Sequence, residues 1–256
     1  MNQHKTILFE IENMVREKQI PIEKLPHLIW IEQRAKGKHF STNEHIRALV
    51  YSMLSNNRPW EPIEENIDAI DTIFFQYDKD TLLAVSPDSL IEQILSIKCG
   101  NRNIKNQMHA LPENIRKFER IEKEFGSLDN FVTSGTPLEI ADLLANSIKY
   151  KLQTLGFALA MEYLRNVGID AIKPDTHIRR ILGSNRLGCS NKPLAGELEA
   201  VEIINKISAQ TGISPSKIDA ILWLFCSNDN AMICTEQPHC KQCTLRGRFC
   251  NQKYFQ

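Results

Sequence analysis

Apolar residues recur at helical spacing along most of the chain, and alternation of strand length is nearly absent. Residues 44–54 (EHIRALVYSML) place Ile46, Leu49, Val50, Met53 and Leu54 on one stripe, the i, i+3, i+4 pattern of a buried helix face. Ser86-Pro87-Asp88 is a helix start, a capping Ser followed by Pro at the first helical position, ahead of Leu90, Ile91, Ile94 and Leu95. Ser214-Pro215 repeats the device before a stripe of Ile218, Ile221, Leu222 and Phe225. Residues 112–125 and 194–209 read as two further amphipathic helices. Without β-branched runs of strand length, the pattern predicts an all-α fold. Its loops concentrate near 34–43, 56–62, 98–106, 126–137 and 183–193.

At 256 residues the chain has material for one large domain or two modest ones. Hydrophobic residues at 42% and charged residues at 24% exclude the disordered and disulfide-scaffold classes. No stretch approaches the apolar length of a membrane span. The N-terminal run Ile7-Leu8-Phe9 is cut at once by Glu10 and Glu12, so it does not read as a signal peptide. The expectation is a cytoplasmic, reducing setting, where seven cysteines point to metal or cofactor ligation over disulfides.

Lys and Arg (31) balance Asp and Glu (31), so no net field marks a nucleic-acid partner. The charges are segregated, however. Residues 61–72 hold five acids and no base, whereas 241–253 carry Lys241, Arg246, Arg248 and Lys253 with no acid, and 98–105 add Lys98, Arg102 and Lys105. One such run alone reads as a solvated face; three leave room for phosphate contacts that would dominate affinity.

The tail reads Cys234-TEQPH-Cys240-KQ-Cys243-TLRGRF-Cys250, a C-x5-C-x2-C-x6-C arrangement, while Cys99, Cys189 and Cys226 are scattered. Four thiolates this close converge on one centre only if the chain winds around it, and Pro238 and Gly247 help it turn. Sulfur ligation fits either Zn²⁺ or an iron–sulfur cluster. Zinc ribbons usually offer two CxxC knuckles; here only Cys240/Cys243 form one, and the wider outer arms favour the larger cubane, with zinc the alternative.

Three more segments fall into order with this tail: Leu54-Ser55-Asn56-Asn57-Arg58; Ile97-Lys98-Cys99-Gly100-Asn101-Arg102; and Leu152-Gln153-Thr154-Leu155-Gly156, leading to Lys173-Pro174-Asp175-Thr176-His177-Ile178. Together they resemble the endonuclease III branch of the helix-hairpin-helix DNA glycosylases over about residues 43–250. The resemblance implies a two-domain fold with a DNA cleft between the domains. Residues 43–168 would form a six-helix barrel domain with the hairpin near 147–163, and 1–42 plus 169–256 an iron–sulfur domain. It implies a [4Fe–4S] cluster on Cys234, Cys240, Cys243 and Cys250, structural rather than catalytic, aiming Lys241, Arg246 and Arg248 at phosphates. Each outer arm of the tail differs by one residue from the family's C-x6-C-x2-C-x5-C.

The family's catalytic carboxylate falls on Asp175, which also reads as a plain helix N-cap, and the two roles are compatible. A carboxylate near the anomeric carbon of a flipped nucleotide stabilises the cationic sugar as the base departs. His177 reads as a packing or backbone-bonding residue. The family's LPGhGxKTA hairpin pattern places Ala158 at the lysine that bifunctional members use as a nucleophile. That predicts a monofunctional glycosylase, the alternatives being a lyase using Lys149 or Lys151, or a DNA-damage-binding protein without turnover. Only Gly156 of the two hairpin glycines remains, with Gln153-Thr154 in place of Pro-Gly; its amides would still face a phosphate. Asn57 aligns with the wedge that fills the hole left by the flipped base, with Arg58 and Trp60 beside it. Tyr51 occupies the place where the adenine-mismatch branch has a Glu. The expected partner is double-stranded DNA, bound by a monomer associated with the nucleoid; the base is not readable from one sequence.

Overall fold

The computed structural model describes residues 2–251; Lys253 of the basic run lies outside them. Among these residues there is no strand, only an isolated bridge between Arg246 and Cys250. In chain order the helices are α1 (Gln3–Glu17), α2 (Pro26–Ala35), α3 (Thr42–Leu54), α4 (Glu61–Glu64), α5 (Ile67–Ile73), α6 (Lys79–Ala84) and α7 (Pro87–Ser96). There follow α8 (Ile104–Phe125), α9 (Leu128–Val132), α10 (Pro137–Asn146), α11 (Phe157–Asn166), α12 (Thr176–Ile181), α13 (Glu197–Thr211) and α14 (Pro215–Cys226). No helix among the described residues is long and apolar enough to cross a membrane.

Local signals account for most helix starts. Ser41 and Glu44 form a reciprocal capping box on α3, Thr136 and Glu139 another on α10, and Ser214 accepts from the Lys217 amide on α14. The helix expected over 112–125 begins eight residues earlier and carries Pro112 inside it. The ring removes one backbone bond, yet the buried stripe of Met108, Leu111, Ile115, Phe118 and Ile121 runs straight through and holds the turn in place.

The chain divides into two compact units, residues 30–169 and residues 1–29 with 170–256. The expected boundary after residue 42 is therefore displaced: residues 30–42 belong with the first unit. Arg34 donates to the Val167 carbonyl (2.9 Å from Nε) and to both Asp129 oxygens (2.5 and 3.2 Å), and the Phe40 amide donates to Asp129 (3.2 Å). Gly168, at φ +74°, lies so close to the Trp30 carbonyl that a Cβ would sit 2.6 Å from its oxygen.

In the unit 30–169, α3 is buried along nearly its whole length, packing on α11 with α10 behind it. Its core includes Phe74, Phe118, Phe131 and Tyr163. Buried among them, His45 shares a hydrogen bond with the Tyr163 hydroxyl (Nδ1–Oη 2.6 Å) and faces Asp129 (3.6 Å). Burial lowers the His45 pKa, so the ring is neutral. In the other unit α1 packs on α14, joining Ile11, Met14 and Val15 to Ile218, Ile221 and Phe225 in one core.

Candidate active site and cysteine centre

Asp175 is the N-cap of α12, with extended backbone (φ −77°, ψ 178°). Its Oδ1 accepts from the amides of His177 (2.8 Å) and Ile178 (3.1 Å). Its own amide donates to the Lys173 carbonyl (2.7 Å) across Pro174. The backbone is held by the amide and the carboxylate by Oδ1, while Oδ2 takes no part in the cap. Burial lowers the His177 pKa, its Nδ1 lies 3.1 Å from an Arg180 nitrogen, and the ring bonds the Cys226 backbone carbonyl.

The turn between α10 and α11 carries Gln153-Thr154-Leu155-Gly156. Thr154 stands at φ +63°, the left-handed conformation that the family's glycine would adopt freely, and its hydroxyl is buried with no hydrogen-bond partner. A β-branched residue there stores about 1–3 kcal/mol of strain. Against the entropy that Gly loses on folding, Thr154→Gly is expected to raise stability by about 1 kcal/mol, read as a higher urea midpoint with unchanged slope.

Where the family pattern has Pro, Gln153 keeps an N–H, and Asn114 of α8 takes it. Asn114 Oδ1 accepts from Gln153 N (2.6 Å) while its Nδ2 donates to Gln153 O (3.0 Å). The Asn114 side chain is buried at 1% exposure. Sequence reasoning missed this residue, because a single Asn within an amphipathic helix carries no local sign of a partner 39 residues away. Asn114→Ala is expected to cost about 1–3 kcal/mol in thermal or urea unfolding. Asn114→Asp loses the bond to the Gln153 carbonyl, since a carboxylate has no hydrogen to donate. Gly156 caps α11 without a side-chain bond, so the helix amides stay open. Ala158 lies in the first turn of α11, and the chain has no amine at that place.

Lys149 is paired with Glu124 (2.5 Å), which together with Tyr150 raises its pKa and keeps it protonated. Lys151 is exposed on the hairpin beside it.

The basic residues take different tasks. Asn57 is exposed at a left-handed turn (φ +50°) just beyond α3, a conformation Asn tolerates. Arg58, expected beside Asn57 at the wedge, clamps a loop. Its guanidinium donates to the Gly100 and Lys98 carbonyls, both at 3.0 Å, because these otherwise face no backbone donor. The left-handed residue of that turn is Lys98 (φ +57°), not Gly100, where a Cβ would meet only the tip of the exposed Leu95 side chain at 2.7 Å. Lys98, Arg102, Lys241 and Arg246 are exposed. Arg248 pairs with Glu10 of α1 (3.0 Å), and Glu10 also accepts from the Thr244 hydroxyl (2.8 Å). The N-terminal helix thus braces the cysteine tail, a role its sequence does not announce.

Tyr51 is buried and donates to Asp71 (2.7 Å), as does Tyr77 (2.6 Å); burial and Asp71 hold both phenols well above their usual pKa.

The tail sulfurs are near one another. Burial and the neighbouring Cys234, Cys250 and Cys240 push the Cys243 thiol up to about 11. Cys234 shifts the other way, lowered by a hydrogen bond from Cys226 and by the guanidiniums of Arg186 and Arg180. Among the described residues no group of three or more His, Cys, Asp or Glu side chains is placed to hold a metal ion.

No family model and no curated protein matches the sequence. Solved structures do. The 8-oxoguanine DNA glycosylase of Thermotoga maritima superposes with a TM-score of 0.61 at 20% identity, covering 86% of this chain and 96% of that one. The 8-oxoguanine DNA glycosylase of Methanocaldococcus jannaschii gives 0.60 at 20% identity, covering 87% and 94%. The glycosylase/lyase of the same organism, in complex with a 15mer DNA containing 8-oxoguanine, gives 0.56 at 22%, covering 83% and 95%. The chain has the fold of these DNA glycosylases. Nearly the full length of each neighbour is matched, so the likeness spans both compact units and not one shared motif.

Proposed function

We propose that the protein is a monofunctional DNA glycosylase of base excision repair. It binds duplex DNA, extrudes a damaged, mismatched or modified base, and hydrolyses its N-glycosidic bond to leave an abasic site. The observation that carries this reading is Asp175: a carboxylate with one oxygen locked by two backbone amides and the other outside the cap. As the base departs, positive charge grows on the sugar, and a fixed carboxylate stabilises it and orients the attacking water. The glycosylase fold and the names of its neighbours support the reaction class. They also make 8-oxoguanine the first base to test.

The absence of a lyase step rests on Ala158 at the nucleophile's place in the resembled pattern and on the ion pair that occupies Lys149. Borohydride added during turnover should trap no covalent enzyme–DNA adduct; a trapped adduct that disappears in Lys149→Ala or Lys151→Ala would establish the amine route instead.

Cys234, Cys240, Cys243 and Cys250 would hold a [4Fe–4S] cluster, which when bound supplies a rigid anchor for the tail and no step of the hydrolysis. Lys241 and Arg246, exposed on that loop, would meet phosphates, with Lys98, Arg102, Gln153, Thr154 and Gly156 serving the same end on the other unit. Asn57, at its exposed turn, would fill the place of the extruded base.

A further inference from the structure

The helix that leads into the Asn57 turn is finished by a different loop. The last carbonyls of α3 have no amides of their own helix to accept from, and side chains from 98–103 and the first turn of α8 supply the donors. Asn101 Nδ2 donates to Met53 O (2.8 Å) and Leu54 O (3.3 Å), and Nε2 of the fully buried Gln107 donates to Met53 O as well (2.9 Å). Asn101 Nδ2 also reaches Gln107 Oε1 (3.0 Å), and its Oδ1 accepts from the Asn103 amide (2.8 Å), so both ends of the side chain are held. The stitching continues residue by residue. Arg58 takes the Lys98 and Gly100 carbonyls, and the Cys99 thiol donates to the Pro62 carbonyl (3.2 Å). Every residue from 98 to 101 thus bonds the segment 53–62. That segment presents Asn57 and the loop presents Lys98 and Arg102, all exposed.

We propose that Asn101 is a positioning residue for base extrusion: it welds the Asn57 turn to the loop carrying Lys98 and Arg102, so that the grip on the DNA backbone fixes where Asn57 enters the stack. This rests on the reading of Asn57 as the residue that fills the place of the extruded base. Asn57 and Lys98 both stand in the left-handed region (φ +50° and +57°), which a residue other than glycine keeps only where its surroundings hold it. Phosphate contacts set the protein's register on the duplex. A wedge on a loose turn would lose part of its insertion energy to ordering that turn. Asn101 removes this cost in advance, because its N–H groups lie on the end of α3 while its oxygen is held by its own loop. It touches no DNA and acts through Asn57.

The test uses the full-length protein and a duplex with one tetrahydrofuran abasic analogue, beside which 2-aminopurine reports on the gap. Hydrolysis of any base leaves such a gap, so the identity of the base does not enter. Wild type, Asn57→Gly, Asn101→Ala, Asn101→Asp and the double variant Asn57→Gly/Asn101→Ala are compared at saturation and across salt concentrations. Gly keeps the left-handed turn without the wedge. Asp keeps the size of Asn and the bond from Asn103 but has no hydrogen to donate, and it stands in if Asn101→Ala does not fold. The expected result is a fluorescence change on wild-type binding whose amplitude drops in both Asn101 variants to that of Asn57→Gly, and no further in the double variant. The slope of log Kd against log salt, which counts phosphate contacts, stays at the wild-type value. Wild-type amplitude in the Asn101 variants beside a lowered one in Asn57→Gly would overturn the proposal and leave the wedge reading intact. So would a fall in the salt slope, the mark of a loop that has collapsed as a whole. Asn57→Gly at the wild-type amplitude, or wild-type protein that gives no change, would overturn the wedge reading and this proposal with it.

Discussion

Asp175→Asn is expected to lower base excision by about 10²–10⁴-fold while leaving duplex binding intact. The variant separates the two roles of the residue. The amide oxygen of Asn still accepts from the amides of His177 and Ile178, and Asn is as good an N-cap as Asp. The helix α12 therefore starts where it did, and the fold is kept. What disappears is the negative charge facing the developing cation on the sugar. Asp175→Ala removes the cap as well and is expected to lose a further ~1 kcal/mol of stability. Single-turnover rates with a lesion duplex, set against binding by the same protein preparation, measure both quantities. An Asn variant that excises at the wild-type rate would remove Asp175 from the chemistry.

The largest expected loss of stability lies elsewhere, at Asp129. This carboxylate, 5% exposed, accepts from Arg34, from the Phe40 amide and from His39 (3.0 Å), and it faces the buried His45. Although burial works against it, the Arg34 guanidinium, the Phe40 amide and the neighbouring His45 hold its pKa well below the usual carboxylate range. Asp129→Ala strands the Arg34 guanidinium, itself mostly buried, without its counter-charge. Removing one partner of a buried pair costs about 3–5 kcal/mol, and the midpoint of urea unfolding should fall accordingly.

The same cluster gives the unit a pH dependence. His45 stays neutral in the fold but takes up a proton near its ordinary pKa once unfolded, so the unfolded state binds more protons and stability declines as pH falls below ~6.5. Asp129 adds a further decline below about pH 4, where the unfolded carboxylate protonates and the folded one does not. The first decline should flatten in His45→Gln, measured by urea unfolding between pH 7.5 and 5.5.

The features legible in the sequence are those built from neighbours in the chain. α3, α7 and α14 announce themselves through a cap, a proline and a single apolar stripe, all within one helix length. Asp175 was legible for the same reason: Pro174 ahead of it and an apolar helix behind it form a local start signal. The unit boundary was not legible, because it is decided by Arg34 reaching Asp129 and Val167, about a hundred residues on. Arg58 is expected beside Asn57 from the sequence, but its carbonyl partners at 98 and 100, forty residues on, are not legible there. Asn114 and Glu10 were invisible for a related reason. A buried Asn or a helix-face Glu acquires meaning only from the segment folded against it, and periodicity records the face, not the partner.

The central claim is hydrolytic excision without strand cleavage. The direct measurement incubates purified protein with duplexes carrying single defined lesions and reads each with and without alkaline treatment. The account predicts breaks at one class of lesion that appear only after alkali. Breaks without alkali would contradict the monofunctional assignment, and an absence of breaks under both conditions across the lesion panel would contradict catalysis altogether.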